Sequence, residues 1–199
     1  MYKKLFLDDE RADQLSVEDL EHMKMNVMST IDFNGNSILS LKRKGDILSK
    51  IYAKQNKNED LLKLLVEWAS SDLPTSRVFA MYVFEVLSDC HLTPAQLSAY
   101  KDSFMNLFSK SLTDRELQVR VAALKATTSF LTSIDDSDLV LSYMGVMPQL
   151  LNTVVEALKE NEEQGRQTLE SMIELTNVHP EIWKNTTSQL VNVGAQIMS

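Results

Sequence analysis

The chain has 199 residues, of which 44% are hydrophobic, with only five Gly, four Pro and one cysteine, and a formal charge of −8. Scarce turn residues argue for long helices rather than a β-rich fold, and the acidic balance opposes a dedicated nucleic-acid binder and suits basic partners. No apolar run reaches the ~20 residues of a membrane span, the first residues lack the apolar stretch of a secretory signal, and the lone Cys90 excludes an internal disulfide and fits a reducing compartment.

The helical period runs almost the whole length. Ser16 opens a first helix, with Asp19 three residues on as a capping box. Its apolar positions are Leu20, Met23, Val27 and Ile31, three or four apart. The cluster Asp32-Phe33-Asn34-Gly35-Asn36 ends it as a turn. A second helix over 37–54 buries Leu41, Gly45, Leu48 and Tyr52. A third over 59–70 buries Leu61, Leu64, Leu65 and Trp68, and Pro74 starts a fourth, with Ala80, Met81, Phe84 and Leu87 on one stripe.

Thr93-Pro94-Ala95-Gln96 is the strongest helix-start signal, with a capping hydroxyl, a first-turn proline and a Gln. Leu97, Tyr100, Phe104, Leu107, Phe108 and Leu112 follow as an amphipathic stripe. Thr113-Asp114-Arg115-Glu116 reads as a second capping box, opening a helix that buries Val119, Ala122, Ala123, Ala126 and Phe130. After an acidic joint at 133–138, a helical region breaks near Gly145 and Pro148. It resumes with Leu150, Leu151, Val154, Val155 and Leu158. A charged turn at 160–164 leads to a helix whose buried face is expected to be Leu169, Met172, Ile173 and Thr176. A last helix begins near Glu181.

The unit is therefore helix, corner, helix, joint, and the fold class is all-α. Pairs are expected at 16–54, 59–89, 94–132 and 136–178, with the first helix of a further repeat at 181–199, all in one α-α superhelix. Laying the second helices on one another aligns Arg43, Arg77, Arg120 and Arg166, at intervals of 34, 43 and 46 residues. Two-helix HEAT and armadillo units run about 40–47 residues. The stretch 112–131, LTDRELQVRVAALKATTSFL, resembles the HEAT signature, with Asp114 at the corner and small alanines where helices pack closely.

The stretch 147–180, MPQLLNTVVEALKENEEQGRQTLESMIELTNVHP, narrows the resemblance. It is similar to the N-terminal part of the importin-β3 branch of karyopherins (importin 5 and its fungal relatives). There an "LL…L" helix meets an acidic turn and a helix reading "ESLIEL" before a proline; here that helix reads Glu170-Ser171-Met172-Ile173-Glu174-Leu175. Members of that family are several times longer, so the resemblance implies a fragment.

The resemblance implies a nuclear import receptor that shuttles between cytoplasm and nucleus, with no cofactor. Its partners would be a cargo protein with a basic signal, Ran-GTP, and phenylalanine-glycine nucleoporins, with no membrane and no direct nucleic acid. In HEAT solenoids the second helices line the concave face, which places Asp46, Glu85, Arg166, Glu170 and Glu174 there as partner contacts. An acidic groove attracts and orients Lys/Arg peptides; the competing reading of each residue is an ordinary charged helix face. Phe104 and Phe108 are the convex-face candidates for nucleoporin binding, against the alternative that they are core.

Covalent chemistry has little support. His22, His91 and His179 fall on separate repeats, and stacked repeats contact only their neighbours. They do not converge with Cys90 on a zinc or nucleophile site, and no phosphate-binding glycine loop is present. Periodicity alone leaves other HEAT or armadillo scaffolds open, such as a phosphatase scaffold or a chromosome-organising subunit. An enzyme on such a frame, for example a base-excision glycosylase, needs a basic groove, which the net charge opposes.

Overall fold

The computed structural model describes residues 15–55, 58–88, 96 and 99–183. Among them every regular element is helical, and the helices alternate between long stretches and tight corners. The chain divides into two compact units, Met1–Leu92 and Thr93–Ser199.

In the first unit, α1 (Val17–Ser29) pairs with α2 (Ile38–Lys54), and α3 (Asn58–Ala69) pairs with α4 (Pro74–Ser88). The predicted box at the head of α1 is present. The Asp19 amide donates to Ser16 Oγ, and the Ser16 amide donates to Asp19 Oδ2, both at 3.1 Å. The Ser16 hydroxyl, donating to the same carboxylate, holds Asp19 below the usual carboxylate range. Leu41, Leu48 and Tyr52 are buried as expected, and the two second helices α2 and α4 lie side by side. Gly45 permits their approach: a Cβ there would stand 2.9 Å from Val83 Cγ2 and 3.3 Å from the Phe79 and Tyr82 rings. Phe33 does more than form a turn, packing its ring 5.6 Å from Phe79 and 6.3 Å from Trp68.

In the second unit, α5 (Lys101–Leu112) pairs with α6 (Leu117–Thr132), and α8 (Met147–Glu160) pairs with α9 (Glu162–Val178). The short α7 (Ser137–Leu141) and a 3-10 turn over Met144–Val146 precede α8. They are the expected break, with Pro148 in the first turn of α8, where a missing amide costs nothing. α6 packs on α9, and α5 touches α8, so first helices form one layer and second helices the other. The second helices start at Ile38, Pro74, Leu117 and Glu162, which gives intervals of 36, 43 and 45 residues.

Three expectations change. Thr113 is not an N-cap: it closes α5, its hydroxyl donating back to the Ser109 carbonyl at 2.8 Å, while Asp114 Oδ1 accepts from the Glu116 amide. The turn after α8 shrinks to one residue. Asn161 closes α8 and caps α9, accepting from the Gln164 amide at 3.0 Å. Leu169 and Ile173 are not buried; they are 37% and 57% exposed, and Gly165, Thr168, Met172 and Leu175 form the inner face of α9. The start signal at Thr93, the residue Leu97 and the helix over 184–199 lie outside the described residues.

Candidate functional site

Two of the four recurrent arginines are corner braces. Arg77 is buried, and its Nη1 donates to the Ser71 and Asp72 carbonyls at 2.9 Å each. Arg120 repeats the device on the Asp114 carbonyl at 2.6 Å, and its Nη2 pairs with Glu156 on α8 at 2.6 Å. Helix ends leave carbonyls without helical partners, and a guanidinium supplies several donors in one plane. Arg43 and Arg166 do not belong to this series. Arg43 is exposed, and it is Lys44 that donates to the Thr30 carbonyl and to Asn36 Oδ1. At the fourth corner the equivalent position, the fourth residue of the helix, is Gly165 rather than an arginine.

Asp46 and Glu85 come together in the first unit. The Tyr82 hydroxyl donates to Asp46 Oδ1 at 2.6 Å, and Lys42 Nζ lies 4.8 Å from the centre of the Tyr82 ring. Burial, the bond to Asp46 and the charges of Asp46 and Glu85 push the phenol well above its ordinary range. Asp46 and Glu85 are both half-buried, so they build the α2–α4 seam more than they offer a free acidic surface.

Arg166, Glu170 and Glu174 form an exposed row on α9 in the second unit, one turn apart. Arg166 bridges Glu163, at 2.8 Å from its Nη2, and Glu170. Gln167 donates to Glu163 at 2.7 Å and accepts from Lys125 Nζ of α6 at 2.6 Å. Hydrogen bonds from Arg166 and Gln167 lower the Glu163 carboxyl, and the pairing with Glu163 raises Arg166. The face therefore stays charged at neutral pH. It presents Glu163, Glu170 and Glu174 about a single guanidinium, beside the exposed apolar pair Leu169 and Ile173. That apolar pair was missed because its helical spacing reads as core; only the packing of α9 distinguishes it.

Phe104 and Phe108 do not line a surface. They are 3% and 0% exposed, each 5.3 Å from Phe130, which stands 5.3 Å from Tyr143. Their payload is core, as large apolar rings in edge-on and tilted contacts usually are.

A family model described as "IPO5-like, TPR repeats" matches residues 45–193. The chain belongs to the IPO5-like repeat family. No curated protein and no solved structure matches it. The matched span begins at Gly45, midway along α2, and takes in α3 to α9, so it covers three of the helix pairs described above and the second half of α2. Both HEAT-like and TPR-like lengths occur in this IPO5-like chain. The interval of 36 residues is close to the TPR period of about 34, and those of 43 and 45 fall in the HEAT range of about 40–47.

Among the described residues, no group of three or more His, Cys, Asp or Glu side chains could hold a metal ion, and no helix is long and apolar enough to cross a membrane. His22 Nδ1 lies 3.2 Å from Asn26, and the buried His179 faces Glu181 at 3.3 Å. Cys90 and His91 lie outside the described residues.

Proposed function

We infer that this chain is part of a nuclear import receptor of the importin-β type, working by binding and without covalent chemistry. Membership of the IPO5-like family, over residues 45–193, is the observation that carries the reading. The exposed acids of α9 agree with it: Glu163, Glu170 and Glu174 form a field that attracts a Lys/Arg-rich cargo signal and orients it on approach. Ran-GTP would release the cargo, and phenylalanine-glycine nucleoporins would carry the receptor between cytoplasm and nucleus. With Phe104 and Phe108 in the core, the reading assigns no residue of this chain to nucleoporin contact.

The test is a pull-down of the full-length parent with Ran loaded with GTP or with GDP, beside a labelled basic signal peptide. Retention of the GTP form over the GDP form, with peptide bound in its absence, supports the reading. Equal recovery of the two forms sinks it.

A further inference from the structure

The corner between α1 and α2 carries the chain's one Asn-Gly pair, Asn34-Gly35. Both residues are exposed. Among the described residues no hydrogen bond engages the Asn34 carboxamide or the Gly35 amide. The main-chain amides on either side are committed. The Asn34 amide donates to Asp32 Oδ1 at 3.0 Å, and the Asn36 amide donates to the Asp32 carbonyl at 2.9 Å. The Asp32 carboxylate also favours glycine at position 35, because a Cβ there would collide with Asp32 Oδ2. Glycine in turn leaves its amide nitrogen unshielded by a side chain. The other described asparagines are held differently. Asn36 Oδ1 accepts from Lys44 and from the Ser40 hydroxyl, and Asn161 Oδ1 accepts from the Gln164 amide. Asn26, Asn106, Asn152 and Asn177 lie within helices, where the amide that follows is bonded to a carbonyl one turn back.

We propose that Asn34 is a site of spontaneous covalent modification, deamidating through a cyclic imide formed with Gly35. The Gly35 nitrogen attacks Asn34 Cγ as its proton passes to solvent. A C–N bond forms, the bond from Cγ to Nδ2 breaks, and Nδ2 takes a proton from water and leaves as ammonia. Water then opens the imide at either carbonyl. Attack at Cγ gives aspartate. Attack at the main-chain carbonyl carbon gives isoaspartate, in which the chain runs on through Cβ and Cγ and is one methylene longer. The net change is gain of water and loss of ammonia, with no oxidant or reductant. The corner has little slack for that methylene. Before Asn34, the Phe33 carbonyl accepts from Thr75 Oγ1 at 2.8 Å, and the Phe33 ring packs on Trp68 and Phe79. After it, Lys44 ties Asn36 Oδ1 to the Thr30 carbonyl. Isoaspartate lengthens a segment pinned at both ends, and so pulls Phe33 from its rings or Asn36 from Lys44. Nothing in this chemistry depends on the import-receptor reading.

The test holds the whole chain in warm, mildly alkaline buffer and follows each asparagine by peptide mass spectrometry. Isoaspartate is counted by labelling with an isoaspartate methyltransferase and isotopic S-adenosylmethionine. Asn34 is expected to convert about tenfold or more faster than Asn36 or Asn161, with no Cβ on the next residue to shield its amide. Both products appear at position 34, and alkali speeds the loss because the attacking amide must give up its proton. Gly35→Ala slows conversion about tenfold, since a Cβ shields the nitrogen and narrows the backbone's freedom. Asn34→Gln, whose imide ring would be one atom larger, removes the label from position 34. Asn34→Asp carries the new charge without the extra methylene and melts close to the parent, whereas aged chains rich in isoaspartate melt clearly lower. An intact Asn34 after Asn36 and Asn161 have converted overturns the proposal. So does a rate that Gly35→Ala leaves unchanged, or label that persists at position 34 in Asn34→Gln. Aged chains that melt with Asn34→Asp would overturn the strain on the corner.

Discussion

The Tyr82 hydroxyl donates to Asp46 Oδ1 at 2.6 Å and so ties α4 to α2 at the seam that Gly45 opens. The bond needs the neutral phenol, and burial together with the nearby carboxylates raises the pKa of Tyr82 above its ordinary value. A group whose folded pKa is raised contributes stability that is complete below its unfolded pKa and lost as pH climbs through the folded one. Stability is therefore expected to decline from about pH 10 upward. Tyr82→Phe should cost about 1 kcal/mol at neutral pH and flatten part of the alkaline decline. Melting temperature followed against pH for both proteins is the check; a variant with the same alkaline slope as the parent would remove Tyr82 from the account.

Gly165 and Gly45 make a paired prediction. A Cβ on Gly165 would sit 2.6 Å from Leu158 Cα, which is backbone, so α8 and α9 would have to separate. On Gly45 the obstacles are side chains of α4, the nearest being Val83 Cγ2 at 2.9 Å. Alanine gains about 1 kcal/mol of helix propensity at either site. Overpacking costs about 1–3 kcal/mol or more and is hardest to relieve against backbone. Gly165→Ala should destabilise clearly and Gly45→Ala much less, as chemical denaturation of the two variants would read. The reverse order would mean that the α8–α9 crossing is not fixed by Gly165.

Arg120 holds the corner of one pair to the first helix of the next, through the Asp114 carbonyl and the Glu156 carboxylate. Charge-assisted hydrogen bonds of this kind contribute about 1.5–3 kcal/mol each when one partner is removed. Arg120→Ala is expected to cost about 2–3 kcal/mol, with part of the loss retained in Arg120→Lys, because an ammonium lacks the planar fork that reaches both oxygens. Glu156→Gln, which keeps the corner bond, should cost less than either. Thermal unfolding of the three variants tests that order.

Tyr143 is fully buried, and its hydroxyl has no hydrogen-bond partner among the described residues. Desolvation, with the Asp102 charge, pushes it up to about 12. A buried hydroxyl left unpaired carries a desolvation cost of about 1–3 kcal/mol. Tyr143→Phe keeps the edge-on contact with Phe130 and removes that cost, so the variant should unfold at a higher temperature than the parent. A lower melting temperature would show that the hydroxyl is bonded in solution.

The helix pairs were legible because burial imposes a period: Leu41, Leu48 and Tyr52 on α2, and Ala80, Met81, Phe84 and Leu87 on α4, are all where the stripe put them. The box at Ser16 was legible because both of its partners are local. What failed was what depends on a neighbour. The spacing of Leu169 and Ile173 says that they share a face, and only the position of the next helix decides whether that face is covered. Phe104 and Phe108 failed as surface candidates for the same reason, since Phe130 and Tyr143 come from other elements. The arginine series held two different things, a structural brace at Arg77 and Arg120 and a surface ion cluster at Arg166, which one-letter alignment cannot separate.

The acidic row on α9 supplies the functional prediction. Glu170 and Glu174 are exposed, and only Glu170 is paired with Arg166. Reversing Glu174 therefore changes the field while leaving that ion pair in place. Glu174→Lys should weaken a labelled Lys/Arg-rich peptide several-fold, and Glu170→Lys with Glu174→Lys should weaken it further. The loss should be larger in low salt than at physiological ionic strength, where charges more than about 8 Å apart are largely screened. Fluorescence anisotropy at concentrations below any self-association reads the effect on single chains. An Arg166→Gln variant sharpens the test, because removing the one cation of the row should tighten the same peptide. Equal affinity across all three variants would mean that the basic signal is held elsewhere, and the α9 acids would then be a solvated helix face.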